Sequence, residues 1–259
     1  RRPLYASPFS AECASGFDDM FPTISRCFYE SFPFEGIEMP DHGEVWSIPW
    51  DSSIGAESVS FTVHGVRFPY RLEKEMTIRD NELIIRYRVR NLSPFPFSYI
   101  WAAHPLFSVS AGTKIILPEG VDSVINAVPS AHLSGYGRVY SFPWAEVDGK
   151  AIDLSVFSPG DEKRFLKYWC AGKLPINRSG LIDPTTGISV FFDISAQTVP
   201  YLGVWVNEGG WGGQYNCALE PATAAMDRVD AAALFDSESV IEANGVREWT
   251  LAISVEGAC

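Results

Sequence analysis

Two titratable side chains in this sequence stand at the ends of apolar segments, where a charge is costly to bury. His104 ends the run YIWAAH (residues 99–104), and Glu220 ends NCALE (residues 216–220) directly before a proline. Burial lowers the pKa of an imidazole and raises that of a carboxyl group, so both can be brought towards neutrality. Such groups suit general acid–base catalysis. Read alone, His104 fits a satisfied core histidine better, whereas Glu220 fits a catalytic or a structural role equally.

A third segment, DHGEVW (residues 41–46), is a turn that carries two acids, the imidazole of His42 and the indole of Trp46. An aromatic ring beside hydrogen-bonding groups suits a sugar, because the C–H faces of a pyranose stack on the ring while its hydroxyls need polar partners. An ordinary acidic turn is the alternative. We interpret His64 as a turn residue and His132 as a loop residue.

Other common chemistries lack their motifs. There is no GxSxG elbow for a serine hydrolase, and GGWGG (residues 209–213) does not open a βαβ unit that would bind a dinucleotide. A paired-carboxylate glycosidase stays possible, although no second acid stands out beside Glu220. The cysteines have no CxxC or Cys/His spacing, so a disulfide framework or a metal site is not expected. They are Cys13, Cys27, Cys170, Cys217 and Cys259.

The composition bounds the partners and the compartment. The 259 residues carry 20 Lys and Arg against 32 Asp and Glu, a net charge of −12. That charge disfavours nucleic acid and anionic membranes as partners, and no apolar run approaches the roughly 20 residues of a spanning helix. Reduced thiols fit the cytoplasm. We therefore expect a cytoplasmic protein whose partner is a small neutral molecule, with no prediction for its oligomeric state.

Strands must position the candidate catalytic and binding residues, because helical periodicity is scarce in the sequence. In ELIIRYRVRN (residues 82–91) apolar and arginine side chains alternate, which predicts a half-buried antiparallel strand paired in a hairpin with residues 70–79. Further strands are predicted at 57–64, 97–103, 113–117, 187–194, 201–207 and 248–255. Only residues 222–234 and 161–171 look helical. Short strands separated by turn residues predict a single all-β domain, a large antiparallel β-sandwich or barrel.

Four segments together resemble the aldose 1-epimerase (galactose mutarotase-like) family, over a match from about Gly16 to Val255. The first is GFDDMFP (residues 16–22) followed by Arg26, and the second is DHGEVW. The third, NLS (residues 91–93) followed by WAAHPLF (residues 101–107), resembles the N-x-S … H-P-x-F motif of the family. The fourth, LEPAT (residues 219–223) with Asp227 beyond, resembles its E-P-x-T stretch.

The resemblance implies a galactose mutarotase-like supersandwich that interconverts the α and β anomers of a free hexose without a cofactor or metal. Glu220 would take the proton of the C1 hydroxyl, and His104 would protonate the ring oxygen. The other implied contacts with the sugar are His42, Arg26, Trp46, Arg71 and Trp205, with Trp211 as a weaker candidate.

Two departures and three alternatives accompany this interpretation. The opening strands of the family should precede Gly16, and most are absent here. The mid-chain aspartate that binds a sugar hydroxyl in galactose-type enzymes has no clear match among Asp161, Lys167 and Asp183. The alternatives are a non-catalytic carbohydrate-binding domain, an accessory domain of a larger enzyme, and a hexose-6-phosphate 1-epimerase. The last would need a cationic cluster. Its candidates are Arg67, Arg71 and Lys74, or Lys163, Arg164 and Lys167.

Overall fold

The computed structural model describes residues 3–10, 16–159 and 163–257, and nearly all of its regular structure is strand. In chain order the strands are β1 (Phe17–Met20), β2 (Cys27–Phe28), β3 (Glu38–Met39), β4 (Asp51–Ile54), β5 (Val59–His64), β6 (Tyr70–Arg79), β7 (Glu82–Asn91), β8 (Phe97–Ser98), β9 (Ala102–Pro105), β10 (Phe107–Ser108), β11 (Lys114–Ile116), β12 (Ser123–Asn126), β13 (Val139–Ser141), β14 (Trp144–Val147), β15 (Lys150–Asp153), β16 (Phe165–Cys170), β17 (Asn177–Ile182), β18 (Ser189–Ile194), β19 (Tyr201–Glu208), β20 (Tyr215–Ala222), β21 (Val240–Ile241) and β22 (Val246–Glu256).

Within those ranges the longer strands form two eight-stranded antiparallel sheets. The first, which we call the site sheet, has the order β1-β9-β20-β19-β16-β12-β13, with β10 also paired to β20. The second, the supporting sheet, has the order β11-β17-β18-β22-β7-β6-β5-β4. The remaining short strands pair as β14-β15, β2-β3 and β8-β21. The predicted all-β antiparallel sandwich is therefore confirmed.

The two sheets are joined by buried aromatic rings and one ion pair. Trp101, just before β9, lies with its ring centre 4.7 Å from that of Tyr87 and 4.8 Å from that of Trp249 in the supporting sheet. Asp19 of β1 accepts hydrogen bonds from Lys74 Nζ at 2.6 Å and from the Trp101 indole at 3.2 Å. Apolar burial on this scale is the main stabilising contribution between packed sheets, and the ion pair sets their relative position.

The predicted hairpin is present with the predicted turn. The pairing of Arg79 with Glu82 leaves Asp80 and Asn81 as a two-residue connection, and Asp80 has a φ of 51°, a conformation that Asp and Asn tolerate. Along β7 the apolar side chains face the core while Arg86 and Arg88 are exposed. The other predicted strands recur with small changes of boundary, except that 97–103 is divided between β8 and β9.

The helical predictions are largely wrong. Residues 165–170 form β16, with five of its six residues buried. The prediction missed this strand because both of its faces are covered, so no period-2 pattern marks it. Of 222–234, only α1 (Val229–Leu234) is helical, since Met226 and Asp227 have positive φ angles of 74° and 63° that end any earlier helix. Across the described ranges, no helix has the length and apolar character to span a bilayer.

Candidate active site

The register of two neighbouring strands brings His104 and Glu220 together. Strand β20 pairs with β9 through Ala222 and Ala102, so two residues further along each strand His104 and Glu220 lie opposite each other on the same face of the site sheet. Their side chains are 7% and 1% exposed, and His104 Nε2 lies 3.9 Å from Glu220 Oε1. An imidazole and a carboxylate that are 116 positions apart in sequence therefore share one buried site.

Lys167 of β16 holds the other oxygen of the same carboxylate. Its ammonium group donates to Glu220 Oε2 and lies 3.8 Å from Asp227 Oδ1, which accepts the indole N–H of Trp169 at 3.0 Å. Glu220 Oε1 has no hydrogen-bond partner in the described part of the chain. The carboxylate thus has one oxygen engaged by a cation and one oxygen free to face His104 and the cavity.

Burial shifts the pKa values of Glu220 and His104 in opposite directions. Desolvation raises the pKa of Glu220 above its usual range, Lys167 opposes that rise, and the Asp227 charge adds to it. Desolvation lowers the pKa of His104 well below 6.5, and the charges of His42 and Lys167 act in the same direction. His104 is therefore neutral at neutral pH unless a further group stabilises its charged form.

The turn that carries His42 is fixed against the segment after β1. His42 has a φ of 57°, and its backbone N–H donates to the Ile24 carbonyl at 2.6 Å. Its Nδ1 lies 3.1 Å from Asp41 Oδ1. Burial acts to raise the pKa of Asp41, but the hydrogen bond and charge of His42 outweigh it and lower that pKa. The His42 ring centre is 5.4 Å from that of His104, so both imidazoles border one space.

The buried carboxylate of Glu44 holds this turn in position. Glu44 is fully buried and accepts hydrogen bonds from the hydroxyls of Tyr5 and Tyr70 at 2.6 and 2.9 Å and from the Arg67 backbone N–H at 2.8 Å. The Val66 backbone N–H is the fourth donor, at 3.3 Å. Four hydrogen bonds explain how this carboxylate can be buried without a cation. Glu44 therefore has a structural role and fastens the His42 turn to the start of β6.

We expect Gly43→Ala to destabilise the His42 turn. Gly43 has a φ of +72°, and a Cβ there would lie 2.1 Å from the Phe21 carbonyl oxygen, so the backbone would have to move. The expected loss is about 1–3 kcal/mol in the free energy of unfolding, measured by urea denaturation. Gly36→Ala is the matched control, because Gly36 has a φ of +78° and no atom within 4 Å. Equal losses in the two variants would contradict the steric explanation.

A cavity of about 220 Å³ lies over these groups. Its polar side chains are Ser25, Asp41, His42, His104, Lys167, Glu220 and Asp227, and its apolar side chains are Phe9, Met20, Ile24, Leu106, Val128, Trp205 and Trp211. This volume lies below the roughly 300–1,000 Å³ of pockets for drug-sized ligands. A lining that combines seven polar side chains with aromatic rings suits a single small polyhydroxylated ligand.

Phe9 forms part of the mouth of the cavity. Its ring stacks on His42 with centres 3.8 Å apart and lies parallel to Trp211 at 6.3 Å. Its backbone N–H donates to Asp41 Oδ2 at 2.9 Å. The Trp46 ring meets Phe9 edge-on, with ring centres 5.2 Å apart, but Trp46 does not itself line the cavity, which corrects the expectation of direct contact with the sugar. Sequence reasoning missed Phe9, and no local pattern marks it.

Two arginines predicted to contact the substrate lie elsewhere. Arg26 is 62% exposed and pairs with Glu38. Arg71 pairs with Glu73 on its own strand at 3.1 Å and faces outward, because Tyr70 before it faces the core. Neither guanidinium lines the cavity, which corrects the expectation of direct contact.

The three mid-chain candidates have different locations. Asp161 lies outside the described residues. Asp183 lies in the turn before β18, where it accepts hydrogen bonds from the Ser110 hydroxyl at 2.9 Å and the Thr185 backbone N–H at 2.8 Å. Only Lys167 lines the cavity. A lysine thus stands in the pocket where the resemblance led us to look for an aspartate.

Metal-ligating side chains and thiols are the other reactive groups to consider. In the ranges that the structure describes, no three His, Cys, Asp or Glu side chains are grouped as a metal ion would require. Cys27, Cys170 and Cys217 are buried free thiols, and burial raises the pKa of Cys170 to about 12. Cys13 and Cys259 lie outside the described residues. The imidazole and carboxylate that face each other at 3.9 Å are groups that can exchange protons, and the polar lining can bind hydroxyl groups.

Comparison with known proteins identifies the fold. No family model matches the chain, and no curated protein matches it. Among solved structures, a galactose mutarotase related enzyme from Lactobacillus acidophilus superposes with a TM-score of 0.70 at 16% identity, over 93% of this chain and 83% of that one. A galactose mutarotase-like protein from Lactobacillus casei ATCC 334 has a TM-score of 0.68 at 20% identity, over 93% and 85%.

A third solved structure agrees. It is a candidate aldose 1-epimerase from Escherichia coli K12, with a TM-score of 0.67 at 15% identity, over 94% of this chain and 84% of that one. The TM-scores of 0.67 to 0.70 show a shared fold, and at identities of 15–20% they show the fold alone. The chain therefore has the galactose mutarotase-like fold, as the resemblance implied.

Proposed function

We propose that this protein is an aldose 1-epimerase that interconverts the α and β anomers of a free monosaccharide. The observation that carries the proposal is the opposition of His104 Nε2 and Glu220 Oε1 at 3.9 Å in a cavity of about 220 Å³. Anomer exchange needs a base at the C1 hydroxyl and an acid at the ring oxygen, and these two atoms are separated by only one carbon in a pyranose. One carboxylate and one imidazole on adjacent strands meet that requirement.

The reaction follows from this pair. Glu220 Oε1 takes the proton of the C1 hydroxyl, the C1–O bond becomes a carbonyl, and the bond from C1 to the ring oxygen breaks as His104 Nε2 delivers a proton to that oxygen. Rotation about C1–C2 presents the other face of the aldehyde. Reclosure returns both protons, so the enzyme ends as it began. His42 lies within the same space and can bind an adjacent hydroxyl, while Trp205 and Trp211 offer stacking surfaces.

The charges around the cavity favour a free sugar over a sugar phosphate. Among the described residues, Lys167 is the only lysine or arginine that lines the cavity, and it is already paired with Glu220. Four of the other five candidate cations form carboxylate pairs of their own: Arg67 with Glu38, Arg71 with Glu73, Lys74 with Asp19, and Arg164 with Glu208. The fifth, Lys163, does not line the cavity. A phosphate dianion would therefore find no unpaired cation among the described residues of the cavity lining.

The proposal is tested by following fresh single anomers of several hexoses and pentoses, free and 6-phosphorylated, by polarimetry or NMR. We expect the protein to speed exchange of at least one free aldose well above the spontaneous rate, which a protein-free control measures in parallel. A faster rate with the 6-phosphate than with the free sugar would favour the phosphate-specific alternative. No acceleration of any sugar would contradict the proposal.

A non-catalytic sugar-binding domain is the second candidate, and one observation favours it. The close pairing of Lys167 with Glu220 lowers the basicity of the carboxylate that should act as base. Titration calorimetry with the same sugars, run beside the rate assay, separates the two functions. Binding with no acceleration would identify a binding domain, whereas acceleration would exclude a purely binding role.

A further inference from the structure

One buried row of side chains in the site sheet contains polar atoms that lack partners. Asp18 Oδ2, His104 Nδ1 and Glu220 Oε1 are each buried with no hydrogen-bond partner in the described part of the chain. A buried polar atom without a partner costs about 1–3 kcal/mol. Such atoms are rarely left so in native proteins. Three of them on three adjacent strands require an explanation.

Strand register places Asp18 beside His104. Strand β1 pairs with β9 so that Asp18 lies directly opposite His104, and directly opposite residues have their Cβ atoms about 4.5–5.5 Å apart on one face. Strand β9 lies between β1 and β20. The imidazole therefore has Glu220 as its neighbour on one side and Asp18 as its neighbour on the other.

The neighbouring carboxylates are already engaged. Asp19 is bonded to Lys74 and Trp101, and Asp41 is bonded to His42 and to the Phe9 backbone N–H. Asp18 keeps one buried oxygen without a partner. Burial raises its pKa to about 6, and the nearby His42 charge limits that rise. At pH 7 Asp18 is mostly ionised.

The proposed chemistry needs such a group. His104 must carry a proton at Nε2 to act as an acid, but its burial and the charges of His42 and Lys167 disfavour the imidazolium. Of the charged groups that face this ring, Glu220 shares its charge with Lys167. A carboxylate at Nδ1 would stabilise the imidazolium and fix the position of the ring.

We propose that Asp18 is a positioning residue. After a side-chain rotation, because the rotamers in the structure leave both atoms without a partner, its carboxylate accepts a hydrogen bond from Nδ1–H of His104, so that Nε2 is directed at Glu220 and the reacting sugar. The catalytic role of Asp18 rests on the proposed function, whereas the hydrogen bond can be present whether or not the protein is an epimerase. It involves no net chemical change, since Asp18 holds the imidazolium without taking its proton.

The hydrogen bond is tested by ¹⁵N NMR of the histidine side chains of the full chain without sugar, comparing the native protein with Asp18→Asn. The four histidines are assigned from single His→Gln variants. We expect Asp18→Asn to lower the pKa of His104 by about one unit or more and to shift its Nδ1 resonance. An unchanged His104, or a change confined to His42, would overturn the inference.

Two further measurements separate positioning from packing and from the proposed function. A packing role predicts loss of stability in Asp18→Asn, whereas we expect unchanged or higher stability because a buried charge is removed. If the protein exchanges anomers, Asp18→Asn should lower kcat about ten-fold and move the pH profile, with KM little changed. Asp80→Asn, in the exposed β6–β7 turn, is the control. If the NMR change is observed but the protein does not exchange anomers, the hydrogen bond is supported and only the proposed function is contradicted.

Discussion

Glu220→Gln is expected to slow anomer exchange by about 10²-fold or more in kcat. The glutamine has nearly the same shape, and its amide oxygen can still accept from Lys167, so the fold and the sugar-binding surface should persist. What the variant loses is the base at Oε1, the atom that faces His104 at 3.9 Å. The variant enzyme is therefore predicted to bind sugar and fail to turn it over.

The measurement is polarimetry of a fresh single anomer, with binding followed by calorimetry in the same buffer. Glu73→Gln is the matched control, because Glu73 lies on the outer face of the supporting sheet and, among the described residues, forms an ion pair with Arg71 alone. We expect the control to exchange anomers at the native rate. Near-native rates in Glu220→Gln would remove Glu220 as the base, whatever the binding result.

Local patterns predicted the framework of the site well. The alternation in β7 and β22 and the Asp80-Asn81 turn depend on neighbours in sequence, so they could be interpreted without the fold. His104 and Glu220 stood out because each is a titratable group at the end of an apolar strand. The structure brings both into one cavity with His42 and Trp205, while their catalytic roles stay predictions.

Features that depend on distant partners could not be predicted. The surroundings of Arg26 are decided by Glu38, and nothing in the local sequence marks that pairing. The register of β9 with β20 unites His104 and Glu220, which are more than a hundred positions apart. The pairing of both β16 and β20 with β19 brings Lys167 to Glu220. Lys167, the only charge in the apolar strand Phe165–Cys170, is a mid-chain and cationic candidate by sequence, but the helical interpretation of that segment gives no reason to place it beside Glu220.

Lys167→Met is expected to lower kcat/KM at pH 7 by about 10²-fold, because its ammonium group is what keeps Glu220 ionised. Burial already raises the pKa of Glu220 above 4.5, and Lys167 is the largest influence that lowers it. Without the lysine the pKa rises further, and the base form is populated only at higher pH. The acid limb of the pH–rate profile should therefore move upward, with activity partly recovered in alkaline buffer.

The same change should weaken the fold in a pH-dependent way. The folded variant would bind the Glu220 proton more tightly than the unfolded chain. Protonation of Glu220 therefore contributes its whole stabilisation below about pH 4.5, and this contribution is lost as the pH rises through the higher pKa of the folded state. Removing one partner of a buried pair costs about 3–5 kcal/mol where the other stays charged. Adding Glu220→Gln to the variant should recover part of that loss, because the Glu220 charge would no longer be left unpaired. Asp227, 3.8 Å from the Lys167 ammonium, would still lose its cation.

Lys74→Met separates the catalytic contribution from the structural one. Lys74 pairs with Asp19 at 2.6 Å between the two sheets, so its removal also leaves a carboxylate that is 1% exposed without its cation. We expect a comparable loss of stability in urea denaturation, with a much smaller shift of the acid limb than in Lys167→Met, because the pair lies on the opposite face of the site sheet from Glu220. A small shift is expected since the Lys74 charge lowers the pKa of Asp18. If Lys167→Met kept the native acid limb, or if Lys74→Met moved it equally, the cation beside Glu220 would have only a structural role.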